Sequence, residues 1–289
     1  MQNEKSNVSM KVLIIGSGGN IGTPLVQALV DRSLVPTLAV RNTQKAEDKW
    51  GNKVTTTQFD FEDPTTFTSA LEGQEAVFFI AGHSNPVPSV QQFLTVAKEA
   101  GVKRIVFSSG RTTGDVPGKP LNDVEKLVRT WDRQWTILRP GWFMQNFVNW
   151  LGGTIRAENK LFLPAGNAKT AFIDVRDIAD VAATCLLEEG HHGQLYNLTS
   201  DEALSHTEVC ALISQASGKL VTYVPQERAS FISTMLEKGW TEAAANYTAD
   251  LYKYVISGKE EEISDDVAKV LGKTPRRFQA FAQEHADRF

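Results

Sequence analysis

The stretch KVLIIGSGGNIGTPLVQALV, residues 11–30, joins an apolar β-type run to a Gly-rich loop and the loop to an amphipathic helix. Its glycines fall at Gly16, Gly19 and Gly22, with Asn20 and Ile21 completing the loop. Gly16 permits a tight turn, Gly19 lets backbone approach a pyrophosphate with no Cβ in the way, and Gly22 allows close packing of helix on strand. Pro24 suits the first helical turn, where its missing N–H has no partner to lose. The helix start then offers N–H groups to phosphate. A Gly-rich loop alone is weak evidence. Standing between a strand and a helix, this one predicts a dinucleotide site.

Outward from this stretch, apolar β-type runs alternate with helical spacing. Strands are expected at 11–15, 36–41, 54–61, 76–81, 104–108 and 135–139, with helices at 21–31, 65–71, 90–100 and 122–131. The runs are almost continuously apolar, as in a sheet covered on both faces. Such alternation predicts an α/β fold, a Rossmann-type doubly wound parallel sheet. Further strands are expected at 171–174 and 194–198 around a helix at 175–187. Helices follow at 206–217, 228–238, 242–256 and 265–271, with a last one after Pro275. The expected organisation is a disordered tail over 1–9, a dinucleotide-binding domain over 10–155 to which strands in 171–200 return, and a smaller, mainly helical substrate lobe over 156–289.

Composition narrows the partners. The net charge is −4, without the basic excess of a protein that grips nucleic acid through diffuse charge. No apolar run nears the roughly 20 residues of a membrane span, and the polar start MQNEKSNVS lacks the apolar core of a signal peptide. A cytoplasmic protein is expected, with no direct nucleic-acid partner, no membrane partner and the choice between monomer and dimer open. Cys185 and Cys210 sit in apolar helical patterns and read as buried thiols. His191 and His192 follow Gly190 in a turn, and no metal site is expected.

The second strand selects the dinucleotide. NAD-selective sites end that strand in an acid that binds the ribose 2′-hydroxyl. Here PTLAV ends in Arg41, whose guanidinium suits a 2′-phosphate. Lys45 adds a second cation nearby. NADP(H) is therefore the expected cofactor. Asp60 and Phe61 end the third strand as candidate adenine contacts, although Asp60 and Asp63 equally suit helix capping. Ala81, Gly82 and His83 end the fourth strand, where the small residues leave room for the cofactor. Ser108 ends the fifth.

The chain resembles the NmrA-like type of atypical short-chain dehydrogenase/reductase. The resemblance rests on the glycine spacing, on WTILRPGWFMQNF (135–147), on AFIDVRDIADVA (171–182) and on QLYNLTSDEALSHTEV (194–209). From LEKGWTEAAANY to VLGKTPRRFQAFAQEHA it is most similar to the reductases of ergot-alkaloid biosynthesis. The resemblance implies that Pro140, Gly141, Trp142 and Phe143 line the nicotinamide side, with Asn146 and Phe147 facing the substrate. Trp150 extends the aromatic cluster, and His83 is a further substrate candidate.

Ordinary short-chain dehydrogenases carry a Tyr-x-x-x-Lys pair after the fifth strand, in which Lys lowers the Tyr pKa for proton transfer. No Tyr lies between Ser108 and Trp135. The place is held by Leu121 with Glu125, or by Asn122 with Lys126. Ser109, Lys126 and His83 are the remaining polar candidates. A ketone reduced to an alkoxide needs a proton or strong donors, whereas an iminium carbon is already electron-poor. Three functions follow: an NADPH-dependent imine or iminium reductase, a quinone or dye reductase, or a non-catalytic NADP(H) sensor acting on a transcription factor.

Overall fold

A computed structural model of the chain describes residues 10–81 and 86–289, so the expected tail over 1–9 lies outside the described residues. The chain divides into two compact units, Met1–Arg139 with Ile178–Tyr196, and Pro140–Asp177 with Asn197–Phe289.

The first unit alternates β1 (Val12–Ile15), α1 (Gly22–Asp31), β2 (Thr37–Val40), α2 (Thr43–Trp50), β3 (Thr55–Gln58), α3 (Phe67–Leu71), β4 (Ala76–Ile80), α4 (Pro86–Glu99), β5 (Arg104–Ser108), α5 (Arg111–Gly114), α6 (Pro120–Arg129) and β6 (Gln134–Pro140). The sheet order is β3-β2-β1-β4-β5-β6, with Gln194–Leu198 as seventh strand. The pairs from β3 through β6 are parallel. This is the expected doubly wound sheet, and the chain reverses direction of growth between β1 and β4.

Side-chain alternation sends each strand into two layers. Leu13, Ile15, Val77, Phe79, Ile105, Phe107 and Ile137 share a core with Phe67, Val90, Phe93, Val124 and Val128 from α3, α4 and α6. The opposite face carries Val12, Ile14, Phe78, Val106 and Leu138, all buried. Arg104 also points that way. Its guanidinium donates to the Leu186 carbonyl at 2.7 Å and to Glu189 at 2.5 Å, fastening β5 to the end of the helix Val175–Leu187. The thiol of Cys185 on that helix is buried, which pushes its pKa up to about 12.

The second unit is mainly helical, with a core of its own. Phe147, Phe172, Phe231, Tyr252, Phe278 and Phe281 are buried there. The helix His206–Ser217 starts with a capping box between Ser205 and Glu208, which satisfies two helix-end donors reciprocally. Glu242–Ile256 follows Thr241, whose hydroxyl accepts from Ala244 N–H. Two short pairings complete the unit: Lys160–Leu163 with Thr222–Pro225 in parallel, and Lys169–Thr170 with Leu204–Ser205 antiparallel.

The expected strand at 171–174 is corrected. The segment is buried, which accounts for its apolar character, but it makes only an isolated bridge, Ile173 with Phe143. Ala171 N–H donates instead to the Glu260 carbonyl. Asp174 is fully buried; its desolvation is outweighed by hydrogen bonds from Arg176 and Gln145, which lower its pKa.

Candidate dinucleotide site

Parallel pairing brings the carboxyl ends of β1 to β5 along one sheet edge, where α/β folds present ligands. Four of the expected cofactor segments follow directly from those ends.

After β1, Gly16 adopts φ +90°, in the left-handed region that favours glycine. Its carbonyl accepts from Gly19 N–H at 3.1 Å, closing the turn, and Thr23 Oγ1 donates to the Ser17 carbonyl at 3.1 Å. A Cβ on Gly22 would collide with the Gly16 carbonyl and stand 2.7 Å from Ser17 Cα, so only glycine lets α1 begin this close to the turn. Gly19 is less confined: its Cβ would meet only the Gly16 carbonyl, at 3.4 Å. No side chain caps α1 at Ile21, and no acid lies in its first turn. The α1 N-terminus is thus left for an external anion.

Arg41 follows β2, is exposed, and makes no hydrogen bond or ion pair among the described residues. Asn42 beside it caps α2 by accepting from Lys45 N–H at 3.0 Å, and the Lys45 side chain is exposed. After β3, the Asp60 carboxylate accepts from Glu62 N–H at 3.0 Å, and Asp63 caps the turn that follows. Phe61 is half-buried and meets Phe59 and Phe93 edge-on at 5.0 and 5.5 Å. Ala81 is buried after β4, whereas Gly82 and His83 lie outside the described residues. Ser108 is buried at the end of β5.

These residues suit a phosphorylated dinucleotide: a turn that a Cβ would fill, an uncapped helix start, and a free guanidinium where an NAD-selective site carries an acid.

The place of the usual Tyr-Lys pair is also in this unit. Leu121 and Glu125 lie one turn apart on α6. Glu125 is 1% exposed, and Arg139 donates to it through Nε at 2.8 Å and Nη2 at 2.7 Å. Arg139 also donates to Asp115 at 2.9 Å and to the Gly114 carbonyl at 3.1 Å. Burial opposes the Arg139 charge, but Glu125 and Asp115 outweigh it and hold its pKa above the usual range. The two other polar candidates separate. Lys126 is exposed and pairs with Asp123 at 2.7 Å. Ser109 Oγ is buried with no hydrogen-bond partner. The Glu125–Arg139 pair was not foreseen as part of the site. Its signal is Glu125 on the apolar stripe Leu121, Val124, Val128 of α6.

The remaining expected residues belong to the second unit. Gly141 N–H donates to the Leu198 carbonyl at 3.0 Å, and a Cβ there would press on the Ala171 carbonyl at 3.2 Å. Pro140 is buried, while Trp142, Phe143 and Asn146 are half-buried. Trp142 packs on Tyr252 with ring centroids 4.8 Å apart. Phe147 is corrected from a substrate contact to a core residue: it is 2% exposed, edge-on to Phe172 and Phe278, each at 5.1 Å. Trp150 packs on Trp240 at 5.4 Å and lines a cavity of about 250 Å³ with Phe162, Met235 and Lys238. Among the described residues, no group of three or more His, Cys, Asp or Glu is placed to hold a metal, and no helix is long and apolar enough to cross a membrane.

The NmrA-like family model matches residues 8–277. The NAD(P)H azoreductase of Xenophilus azovorans is 34% identical over 288 residues, covering 96% of this chain and 99% of that protein. Agroclavine dehydrogenase of Claviceps fusiformis is 30% identical over 238 residues, covering 78% and 82%. Among solved structures, the NADPH-dependent quinone oxidoreductase of Escherichia coli complexed with NADPH aligns with a TM-score of 0.85. It is 26% identical and covers 94% of this chain and 99% of that one.

Proposed function

The chain belongs to the NmrA-like family, and from that premise we propose that it reduces electron-poor C=N bonds, imine or iminium, in flat hydrophobic molecules. It is an NAD(P)H-dependent oxidoreductase, and NADP(H) is its cofactor. In the proposed arrangement, Gly16, Gly19, Asn20, Ile21 and Gly22 hold the pyrophosphate, and Arg41 with Lys45 takes the 2′-phosphate. Asp60 and Phe61 flank the adenine. Ala81 and Ser108 border the ribose and nicotinamide, and Trp142, Phe143 and Asn146 serve the acceptor.

The observation that carries the reading is the occupied Tyr-Lys place. In one placement Leu121 has no proton to give and both oxygens of Glu125 are taken up by Arg139; in the other, Asn122 donates to the Gly114 carbonyl and exposed Lys126 pairs with Asp123. When bound, NADPH would supply a hydride; an iminium carbon, or an imine already protonated in water, becomes a neutral amine on taking it and needs no proton from the chain, whereas a ketone oxygen requires one. What the chain contributes is then orientation of the two reactants.

A second reading has its own support. The 34% identity to an azoreductase and the likeness to a quinone oxidoreductase favour N=N bonds or quinones as acceptors. Loss of NADPH absorbance with cyclic iminium salts, quinones, azo compounds and matched ketones tests both. The proposal expects iminium salts to turn over fastest and ketones not at all. Fastest turnover of quinones or azo compounds establishes the second reading. Absence of turnover with every class contradicts both.

A further inference from the structure

We propose that Glu125 and Arg139 are positioning residues for the nicotinamide end of the cofactor, because their buried ion pair fixes the turn after β5 and with it Ser108 and Ser109. This rests on the placement of the dinucleotide along the strand carboxyl ends proposed above.

The pair joins three elements. Glu125 is on α6, Arg139 is the next-to-last residue of β6, and the guanidinium reaches back to Asp115 and the Gly114 carbonyl at the end of α5. That same carbonyl accepts from Asn122 Nδ2 at 2.8 Å. Gly114 is held so closely that a Cβ there would collide with the Glu125 carboxylate and stand 2.6 Å from Ser109 Oγ. Ser109 N–H donates to the Leu138 carbonyl at 2.8 Å, one residue before Arg139. The turn after β5 is therefore fixed from α6, from β6 and from its own glycine.

Stability does not explain such a pair. Desolvation of two buried charges consumes most of their attraction, and apolar replacements of similar volume are often neutral or better. An apolar pair lacks direction, however. A guanidinium fork holding a carboxylate through two bonds, with a third to a carbonyl, fixes distance and angle together. Where the Tyr-Lys place offers no proton, reduction relies on orientation, which small displacements degrade. Ser108 and Ser109, at the end of β5, are the residues whose placement depends on this fork.

The test compares wild type with Glu125→Gln and Arg139→Lys, each with NADPH. Three quantities are read: the NADPH dissociation constant, the rise in nicotinamide fluorescence on binding, and kcat with a quinone and with a cyclic iminium. The dissociation constant should change by less than about 3-fold, since the Gly16–Gly22 loop and Arg41 are untouched. The fluorescence rise should fall by about half or more, and kcat by about 10-fold or more. Arg139→Lys keeps the charge and loses the fork, so it reads the same quantities if Glu125→Gln does not fold. A lowered melting temperature with unchanged fluorescence rise and kcat would make the pair purely structural and overturn the proposal. The fluorescence reading needs no acceptor, so it stands even if C=N bonds prove not to be reduced.

Discussion

With Arg41 proposed to hold the 2′-phosphate, replacing it with Gln should remove any preference for NADPH over NADH. Arg41 follows β2, is exposed, and has no partner among the described residues, so in the proposed arrangement its charge is available to the 2′-phosphate. Hydrogen bonds to charged groups contribute about 1.5–3 kcal/mol. At about 1.4 kcal/mol per decade, removing the guanidinium should weaken NADPH by about 10- to 150-fold, toward the lower end because solvent and salt screen an exposed site. NADH, which lacks the 2′-phosphate, should change by less than about 2-fold. Folding stability should stay within about 0.5 kcal/mol of wild type, as for other surface substitutions. The assay is fluorescence titration with both dinucleotides at low and high salt. Wild-type affinity for NADPH should fall as salt rises, and the Arg41→Gln affinity should fall less. Equal weakening of NADPH and NADH would refute the reasoning, because it would place the effect in the loop or in α2. No weakening of either would remove Arg41 from the site.

Two further outcomes follow from the geometry. Gly22→Ala forces a Cβ onto the Gly16 carbonyl, and such overpacking costs about 1–3 kcal/mol. Urea denaturation should show that loss, and NADPH and NADH should weaken together, unlike in Arg41→Gln. Burial alone pushes His206 down to about 4 from its usual 6.5, and its Nδ1 has no partner. Between these values the unfolded chain binds the extra proton, so stability should fall by as much as about 3 kcal/mol as pH drops from 6.5 toward 4. His206→Phe should flatten that part of the pH profile, and an unchanged slope would assign it to other groups.

Much of the fold was legible because its signals are local. The apolar run of β5 and the helical spacing of Val175–Leu187, His206–Ser217 and Glu242–Ile256 appear at their expected bounds. The helix α2 went unread because it buries no residue; the local clue was Asn42 as its cap. The pairing of Lys160–Leu163 with Thr222–Pro225 joins segments some 60 residues apart in sequence, and neither segment contains the information that selects the other. At 171–174 burial imitated a strand, since a buried extended segment and a strand share apolar character.

The site divides in the same way. Gly16 and Gly22 are legible because each answers a local demand, a left-handed turn at the first and close packing of α1 on that turn at the second. Phe147 was misplaced because an aromatic beside a proposed cleft and an aromatic in a core look alike in sequence. The Glu125–Arg139 pair depends on α6 lying against β6, which no spacing within either element encodes. Only Glu125, a carboxylate on an apolar helix stripe, marked the need for a buried partner.

The most direct test of the central claim is a paired measurement on one ring system. A cyclic iminium salt and the corresponding cyclic ketone are each offered to the protein with NADPH, and kcat/KM is compared across pH 6 to 9. The account predicts turnover of the iminium alone, with a rate independent of pH wherever the iminium stays charged. Comparable turnover of the ketone, rising as pH falls, would reveal a proton donor and contradict the account.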